Sequence, residues 1–200
     1  MRVWSQSRSV PVVGVPCRAR GFTLVELMIT IAVAAVLLVI AVPSFRNITN
    51  SNRLTTAANT MVNALNTARM EAIKLNATTQ FCSDLAGNNT DGSSTTSDSA
   101  LSTACGSSGG AVVELTGSTA NSLLAATQGL ALPVQLSGNI TAVRFSGQGL
   151  GYKATDTSKT PVTSTIATVC VAGLSGNNRI AIGMTTGTII TTTPSPGACP

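Results

Sequence analysis

Histidine is absent from the 200 residues, and aromatic and charged residues are scarce, at 3% and 10%. The absence of histidine removes the side chain that most often acts as a general base or a metal ligand. Outside the apolar segment described below, the acidic residues show no paired arrangement; they are Glu71, Asp84, Asp91, Asp98, Glu114 and Asp156. The composition therefore predicts a protein without enzyme activity, cofactor or metal site.

Acidic residues are also missing from the first 21 residues, which hold four arginines: Arg2, Arg8, Arg18 and Arg20. The whole chain has 12 basic and seven acidic residues, a formal net charge of +5. Without the four arginines, eight basic residues stand against seven acids, a net charge of +1. A basic excess before an apolar segment predicts that the N-terminus stays in the cytoplasm and that the rest of the chain lies outside.

One long apolar run, Phe22–Val42, follows these arginines. Its 21 residues are long enough, at about 1.5 Å each, for a helix across the hydrocarbon core of a bilayer. Glu26 is the one charged residue of the run, and a carboxylate in hydrocarbon is costly unless it is paired or lies near an interface. We therefore predict a membrane helix over residues 22–42 with a functional acid near its start.

The order of these segments is the reverse of an ordinary secretory signal, in which the apolar region precedes the cleavage site. Here the basic part ends at Gly21, directly before the apolar run. The stretch GFTLVEL at 21–27 resembles the type IV prepilin motif of pilins, minor pilins and type II secretion pseudopilins. The resemblance implies that residues 1–21 are a leader, that a prepilin peptidase cuts between Gly21 and Phe22, and that Phe22 is then N-methylated.

Cleavage would create a positively charged amine on Phe22, one helical turn before Glu26. The Glu26 carboxylate then has two possible partners. One is the amine and the helix dipole of its own chain, and the other is the amine of a neighbouring subunit when helices bundle. In the family that this chain resembles, the second pairing is thought to set the register during assembly. Glu26 is therefore predicted to serve polymer incorporation, and both pairings stay open.

The helix is predicted to continue past the membrane to about residue 77, with a kink at Pro43. Apolar residues recur at spacings of three and four along this second half: Leu54, Ala58, Met61, Leu65, Ala68, Ala72 and Leu75. Such a stripe is typical of an amphipathic helix, so residues 43–77 should pack against a domain.

Residues 78–200 are predicted to form an exported globular domain. Residues 83–110 are rich in Ser, Thr and Gly, which predicts a flexible surface loop. Strand patterns occur at 111–115, 140–145, 164–171, 178–183 and 187–191, and turn residues between the last three predict an antiparallel meander. A long N-terminal helix on a C-terminal antiparallel sheet is an α+β fold. It resembles the type IV pilin fold, in the strand order of the GspH/FimT branch.

Cysteine is used mainly on the predicted exported side, where disulfides persist. Cys17 lies in the leader, and the other four cysteines follow the apolar run. Four cysteines allow three connectivities, of which the pairing of sequence neighbours, Cys82 with Cys105 and Cys170 with Cys199, is the simplest. Free structural thiols are the alternative.

Features that point to a phosphate or DNA ligand are incomplete. GQGLG at 147–151 lacks the glycine spacing and the following helix of a phosphate-binding loop, so we predict a turn between strands. Some FimT-type minor pilins that this chain resembles bind DNA through an arginine-bearing motif near the C-terminus. Here Arg179 is the corresponding residue, with Arg144, Lys153 and Lys159 elsewhere, so DNA contact is possible but not favoured.

The leading prediction is a minor type IV pilin of the FimU/FimT type, which joins other minor pilins to prime or cap a pilus. The resemblance implies three kinds of partner: prepilin peptidase, other minor and major pilins, and the inner-membrane assembly platform. It implies a single-pass protein of the bacterial inner membrane with a periplasmic C-terminal domain, later part of a pilus or pseudopilus. The alternatives are a GspH-like type II secretion pseudopilin and a DNA-binding competence pilin for natural transformation.

Overall fold

The computed structural model describes residues 21–126 and 130–200. The predicted leader, apart from Gly21, lies outside the described residues, and so does Cys17. The chain divides into two compact units, Met1–Val42 and Pro43–Pro200, and each is described by itself. One helix, α1 (Leu24–Leu75), supplies most of the described part of the first unit and the first element of the second.

In the first unit, Thr23 caps the start of α1. Its hydroxyl oxygen accepts a hydrogen bond from the Glu26 amide at 3.2 Å, and its carbonyl oxygen accepts one from the Leu27 amide at 3.1 Å. These bonds satisfy amides that the start of a helix leaves open. Every residue from Gly21 to Val42 is exposed, so apolar side chains cover all sides of this part of the helix.

The second unit begins with residues 43–75 of α1, and Pro43 lies inside the helix. The predicted apolar stripe is buried at six of its positions: Leu54, Ala58, Met61, Leu65, Ala68 and Ala72. Its last member, Leu75, is 44% exposed, so the prediction was wrong at that residue, where the helix ends. Ala57 and Ala64 are buried beside the stripe, and their small side chains allow close packing on this face.

Within the described residues nine strands follow α1: β1 (Thr79–Phe81), β2 (Val112–Thr116), β3 (Thr119–Leu124), β4 (Val134–Leu136), β5 (Val143–Phe145), β6 (Gly151–Lys153), β7 (Ser164–Val171), β8 (Arg179–Thr185) and β9 (Ile189–Ser195). They form two antiparallel sheets, ordered β3-β2-β1-β5-β6 and β4-β7-β8-β9. The predicted meander is confirmed as β7-β8-β9, and GQGLG contains the turn between β5 and β6.

The strands thus divide into two sheets where the sequence indicated one. Of the four strands without a sequence prediction, β1, β4 and β6 have only three residues each, too few for a period of two to be recognised. The fourth, β3, is mostly exposed and polar, so its sequence carries no apolar alternation.

The main core lies between the second half of α1 and both sheets. The five-stranded sheet contributes Phe81, Val112, Val143 and Phe145, and the four-stranded sheet contributes Ile166, Val169, Val171, Ile182 and Met184. Burying these side chains supplies the main favourable free energy of folding. A helix on antiparallel sheets confirms the predicted α+β class and agrees with the type IV pilin fold.

The segment predicted as a flexible loop, residues 83–110, instead holds a 3-10 helix (Ala86–Asn89) and a second α-helix, α2 (Thr96–Cys105). Leu101 and Cys105 of α2 are buried in a small second core on the five-stranded sheet. The loop prediction was wrong because a disulfide and a buried ion pair hold this segment, and neither leaves a run of apolar residues in the sequence.

Candidate functional site: the N-terminal helix and its support

By length and composition, α1 is the one helix among the described residues that could cross a membrane. No residue of its most apolar stretch is buried. Leu24, Val39 and Ile40, for example, are 73%, 75% and 69% exposed. An exposed apolar surface of this extent is favourable only against lipid or against other apolar helices. The first unit is therefore built for an apolar environment outside its own chain.

The predicted processing and assembly residues lie together at the start of this helix. Gly21 precedes the helix in open space, and Phe22 is 78% exposed, so both are accessible. Glu26 lies in the first turn of α1, where the helix dipole favours an acid. Its amide is bound by Thr23, and its carboxylate has no hydrogen bond or ion pair with any described residue.

Arg69 connects the second half of α1 to turns of both sheets. Its Nε donates to the carbonyl of Gly149, in the β5–β6 turn, at 3.1 Å. Its Nη1 donates to the carbonyl of Thr188, in the β8–β9 turn, at 3.0 Å. From β1, the Thr79 hydroxyl donates to the carbonyl of Ala68 at 2.7 Å. These bonds between side chains and backbone fix the helix to both sheets.

A buried ion pair holds α2 on the face of the five-stranded sheet opposite to the face that packs on α1. Arg144 of β5 is 5% exposed and bonds to Asp98 of α2, which is 3% exposed. Its Nη1 also lies 3.7 Å from the Asp91 carboxylate, and its Nε donates to the side chain of Gln80 at 2.7 Å. Its Nη2 donates to the carbonyl of Asn89 at 3.0 Å. Three of the five N–H donors of this guanidinium therefore have acceptors, and two carboxylates lie close enough to offset its charge.

The environment of Asp98 lowers its pKa. Burial alone would raise the pKa of this carboxyl, but hydrogen bonds from the Thr90 hydroxyl, Arg144 and the Asp91 amide act in the opposite direction. The positive charge of Arg144 adds to them, so the pKa of Asp98 lies below its ordinary value of 3.8. Asp98 therefore remains an anion inside the domain at neutral pH.

Sequence reasoning missed this pair, because 46 positions separate its members and only the fold brings them together. A local signal was present for α2. Thr95 accepts a hydrogen bond from the Asp98 amide at 3.3 Å, and a Thr followed three residues later by an acid marks a helix start. For Arg144, the signal was its position between Val143 and Phe145 in β5. Successive side chains of a strand point to opposite faces of the sheet, so Arg144 lies on the face opposite to that of its two apolar neighbours.

Two disulfides join the four cysteines of the second unit as sequence neighbours. Cys82 with Cys105 connects the end of β1 to α2, and Cys170 with Cys199 connects β7 to the C-terminal tail. Each closes a loop of moderate length, with sequence separations of 23 and 29 residues. Both cross-links restrict the unfolded chain and hold segments that have few core residues of their own.

Arg179, the residue considered for DNA contact, is partly buried at the start of β8. Its Nη2 donates to the Ser137 hydroxyl at 2.7 Å. The tail lies against it, since a Cβ at Gly197 would come within 2.5 Å of the Arg179 Cδ. Asn178 fixes that tail through two hydrogen bonds with Gly197, at 2.8 and 2.9 Å. Arg144, another of the cations, is buried in its ion pair. The structure does not bring these two arginines together on the surface.

Comparison with known proteins gives two family matches. Residues 17–42 match the family described as a prokaryotic N-terminal methylation motif. Residues 57–189 match the family described as type II transport protein GspH. No match was found among curated proteins or among solved structures. The pilin and pseudopilin families are structural and non-enzymatic. Because the second match covers 133 of the 200 residues, the chain belongs to the GspH family of type IV pilin-like proteins.

Proposed function

We propose that this protein is a minor type IV pilin of the FimU/FimT type that assembles with other minor pilins to prime or cap a pilus. The observation that carries the proposal is the first unit, an exposed apolar helix that follows a processing motif and contains one acid, Glu26. Such a helix supplies a surface that lipid covers before assembly and that neighbouring helices cover afterwards.

The proposal includes processing at the start of the helix. Prepilin peptidase cuts between Gly21 and Phe22 and methylates the new amine of Phe22. Before assembly, the protein spans the bacterial inner membrane once, with the N-terminus in the cytoplasm and the domain in the periplasm. The arginines before the helix support this orientation, and the two disulfides suit an oxidising compartment.

We further propose that Glu26 pairs with the Phe22 amine of a neighbouring subunit. The Thr23 hydroxyl already accepts a hydrogen bond from an amide of the first helical turn. The open amides at the start of this helix therefore need the carboxylate of their own chain less. The carboxylate itself has no bond to any described residue, so it is available to a partner. In the apolar interior of a helix bundle this ion pair would fix the register between subunits, because an unpaired carboxylate there is costly.

A Glu26→Gln change tests this proposal. In cells that express the assembly machinery, the variant should be cleaved and methylated like the wild type, since Gly21 and Phe22 are intact. Its amount in sheared filaments should fall by about tenfold or more, because the pairing charge is gone. Mass spectrometry of the N-terminus and quantitative immunoblotting of filament and membrane fractions measure the two effects.

Glu71→Gln is the matched control, because Glu71 lies in the same helix but bonds only to the exposed Lys74. It should leave incorporation unchanged. Filaments that contain the Glu26 variant at the wild-type level would refute the assembly role. An N-terminus other than methylated Phe22 in the wild-type protein would refute the processing.

A second candidate is a type II secretion pseudopilin, which the description of the GspH family favours. The same helix and domain would serve that machine, so the partners distinguish the two. Complementation separates them: a pilus subunit restores piliation in a strain that lacks its minor pilins, and a pseudopilin restores protein secretion in a strain that lacks its GspH component.

A third candidate, DNA binding during natural transformation, has less support. Arg144 is buried in its ion pair. Arg179 has no acidic partner among the described residues, but it is partly buried between Ser137 and the tail, so these two arginines do not form the cluster of exposed cations that phosphate binding needs. A gel-shift of the full chain in detergent at low salt, with and without Arg179→Ala, tests it. A shift that the change abolishes would establish DNA binding.

A further inference from the structure

The part of α1 that follows the apolar run carries cations without acids. Arg46 and Arg53 lie four and eleven residues after Val42. Between Glu26 and Glu71 the chain has no acidic residue. Both arginines are exposed, and neither forms an ion pair or a hydrogen bond with any described residue. The two guanidinium groups are therefore available to an anion outside the chain.

The two arginines share one side of the helix. A spacing of seven residues is close to two full turns, so Arg46 and Arg53 leave the helix axis in nearly the same direction. Along the axis their backbones lie about 10 Å apart. Because arginine side chains are long, both can contact one anionic group that lies between them, or two neighbouring ones.

A groove of about 510 Å³ adjoins Arg53 in the second unit. Its wall on α1 is mostly polar, with the side chains of Thr49, Asn52, Arg53 and Thr56 beside the small Ala57. Its other wall is apolar and consists of Ala131, Leu132 and Val134. Leu132 is 78% exposed. The groove thus offers a cation and polar groups on one side and an apolar surface on the other.

Exposed apolar side chains also flank Arg46. Phe45 and Ile48 are 70% and 58% exposed. A helix surface that combines arginines with exposed large apolar side chains is typical of the boundary between lipid headgroups and acyl chains. Nucleic acid or an acidic protein segment would pair with the cations but would leave these apolar side chains in water. The surface therefore favours a lipid as the source of the anion.

We propose that Arg46, Arg53 and the adjoining groove bind the headgroup of an anionic phospholipid. The phosphate accepts charge-assisted hydrogen bonds from the guanidinium groups, and the rest of the headgroup lies in the groove. The exposed apolar side chains contact the adjoining acyl chains. The inference rests on the membrane helix of the proposed function and adds to it the class of lipid and the residues that select it.

Native mass spectrometry of the full chain in detergent tests the proposal, because it counts bound lipid molecules. The probes are dioctanoyl phosphatidylglycerol, which is anionic, and dioctanoyl phosphatidylcholine, which has no net charge. Phosphatidylglycerol should bind more tightly by about tenfold or more, since each arginine at a lipid surface contributes about fivefold. Free glycerol phosphate should bind much more weakly than phosphatidylglycerol, because it lacks acyl chains.

A pair of double variants assigns the preference to this site. Arg46→Gln with Arg53→Gln should lower the affinity for phosphatidylglycerol to about that for phosphatidylcholine. Lys153→Gln with Lys159→Gln removes the same charge from two other exposed positions and should leave the preference unchanged. The four arginines before Gly21 are the same in all of these proteins, so they do not affect the comparison. Circular dichroism should show that both variants are folded.

Several results would overturn the proposal. One is equal binding of the two lipids by the wild type, and another is an unchanged preference in the double arginine variant. Glycerol phosphate that binds as tightly as phosphatidylglycerol would indicate a site for a soluble anion. Displacement of the lipid by a hexaglutamate peptide would assign the arginines to an acidic protein partner.

Carbonate extraction of cell membranes distinguishes a failure of this proposal from a failure of the proposed function. A chain that stays in the membrane pellet but shows no lipid preference would refute the lipid site alone. A chain that carbonate releases would refute the membrane helix on which both proposals rest. The expected result is that the wild type and the double arginine variant both stay in the pellet.

Discussion

The buried carboxylate of Asp98 provides the first prediction at the scale of single residues. Changing Asp98→Asn keeps the shape of the side chain but leaves the Arg144 guanidinium buried without its closest anion. We expect a loss of about 2–4 kcal/mol in the free energy of unfolding, since removal of one partner strands the other charge. Urea unfolding of the full chain in detergent, followed by circular dichroism, measures this loss.

Asp156→Asn is the control for this change. Asp156 accepts backbone hydrogen bonds from Ser158 and Thr160 in an exposed turn, without a buried cation. Its replacement should cost much less. Equal losses for both variants would show that the buried pair contributes nothing specific.

The lowered pKa of Asp98 predicts how this stabilisation depends on pH. A carboxyl whose pKa is lower in the folded state stabilises that state above its unfolded pKa and loses the effect as pH falls through the folded pKa. The difference in unfolding free energy between wild type and Asp98→Asn should therefore be constant at neutral pH. It should shrink as the pH falls below the ordinary value of 3.8. Urea titrations at a series of acidic pH values provide the test, and a difference independent of pH would contradict it.

Single residues were the hardest part to predict from the sequence. Glu26 was recognised because a charge inside an apolar run is anomalous in any fold. Arg144 and Asp98 were not, because each looks ordinary until the fold removes both from water. Arg179 was considered as a free cation, although its partner Ser137 lies 42 positions away. A charge that is anomalous in its local sequence can be recognised from the sequence alone. Two residues that the fold brings together from distant positions cannot.

At the scale of elements, the contact between the two sheets predicts a selective effect of glycine substitution. Gly187, in the β8–β9 turn, has φ +67°, and a Cβ there would lie 2.5 Å from the carbonyl oxygen of Gly151. Because backbone cannot rotate away like a side chain, Gly187→Ala should separate the sheets locally. We expect a cost of about 2–4 kcal/mol, which combines backbone strain and overpacking. Thermal unfolding of the full chain measures it.

Gly176→Ala isolates the contribution of the backbone. Gly176 has φ +86°, but a Cβ added there would meet no atom within 4 Å. The change should cost about 1 kcal/mol from strain alone. If the two alanine variants lose equal stability, the close approach of Gly187 to Gly151 is unimportant.

Elements with a strong apolar period were predictable from the sequence. The second half of α1 was read from its spacing of three and four, and β7, β8 and β9 from β-branched residues between turns. The helix α2 was missed because Leu101 is its one large apolar residue that is buried. Its stability comes from the Cys82–Cys105 disulfide and from Asp98, which act through residues far along the chain. The spacing of apolar residues in a sequence predicts only those helices and strands that pack through an apolar face of their own.

At the scale of the whole molecule, the division into two units predicts that the second unit folds alone. All residues of both buried cores lie between Leu54 and Met184, and both disulfides lie after Pro43. A fragment of residues 43–200 loses the exposed apolar helix and keeps every buried core residue that the structure describes. It should therefore be soluble without detergent and should unfold cooperatively, with both disulfides formed.

A fragment of residues 66–200 is the control, because it also lacks Leu54, Met61 and Leu65. Each large core side chain contributes about 2–5 kcal/mol, so their joint loss exceeds the stability of a typical domain. Circular dichroism and mass spectrometry of both fragments test this. An aggregated or non-cooperative 43–200 fragment would mean that the first half of α1 stabilises the domain as well as anchoring it.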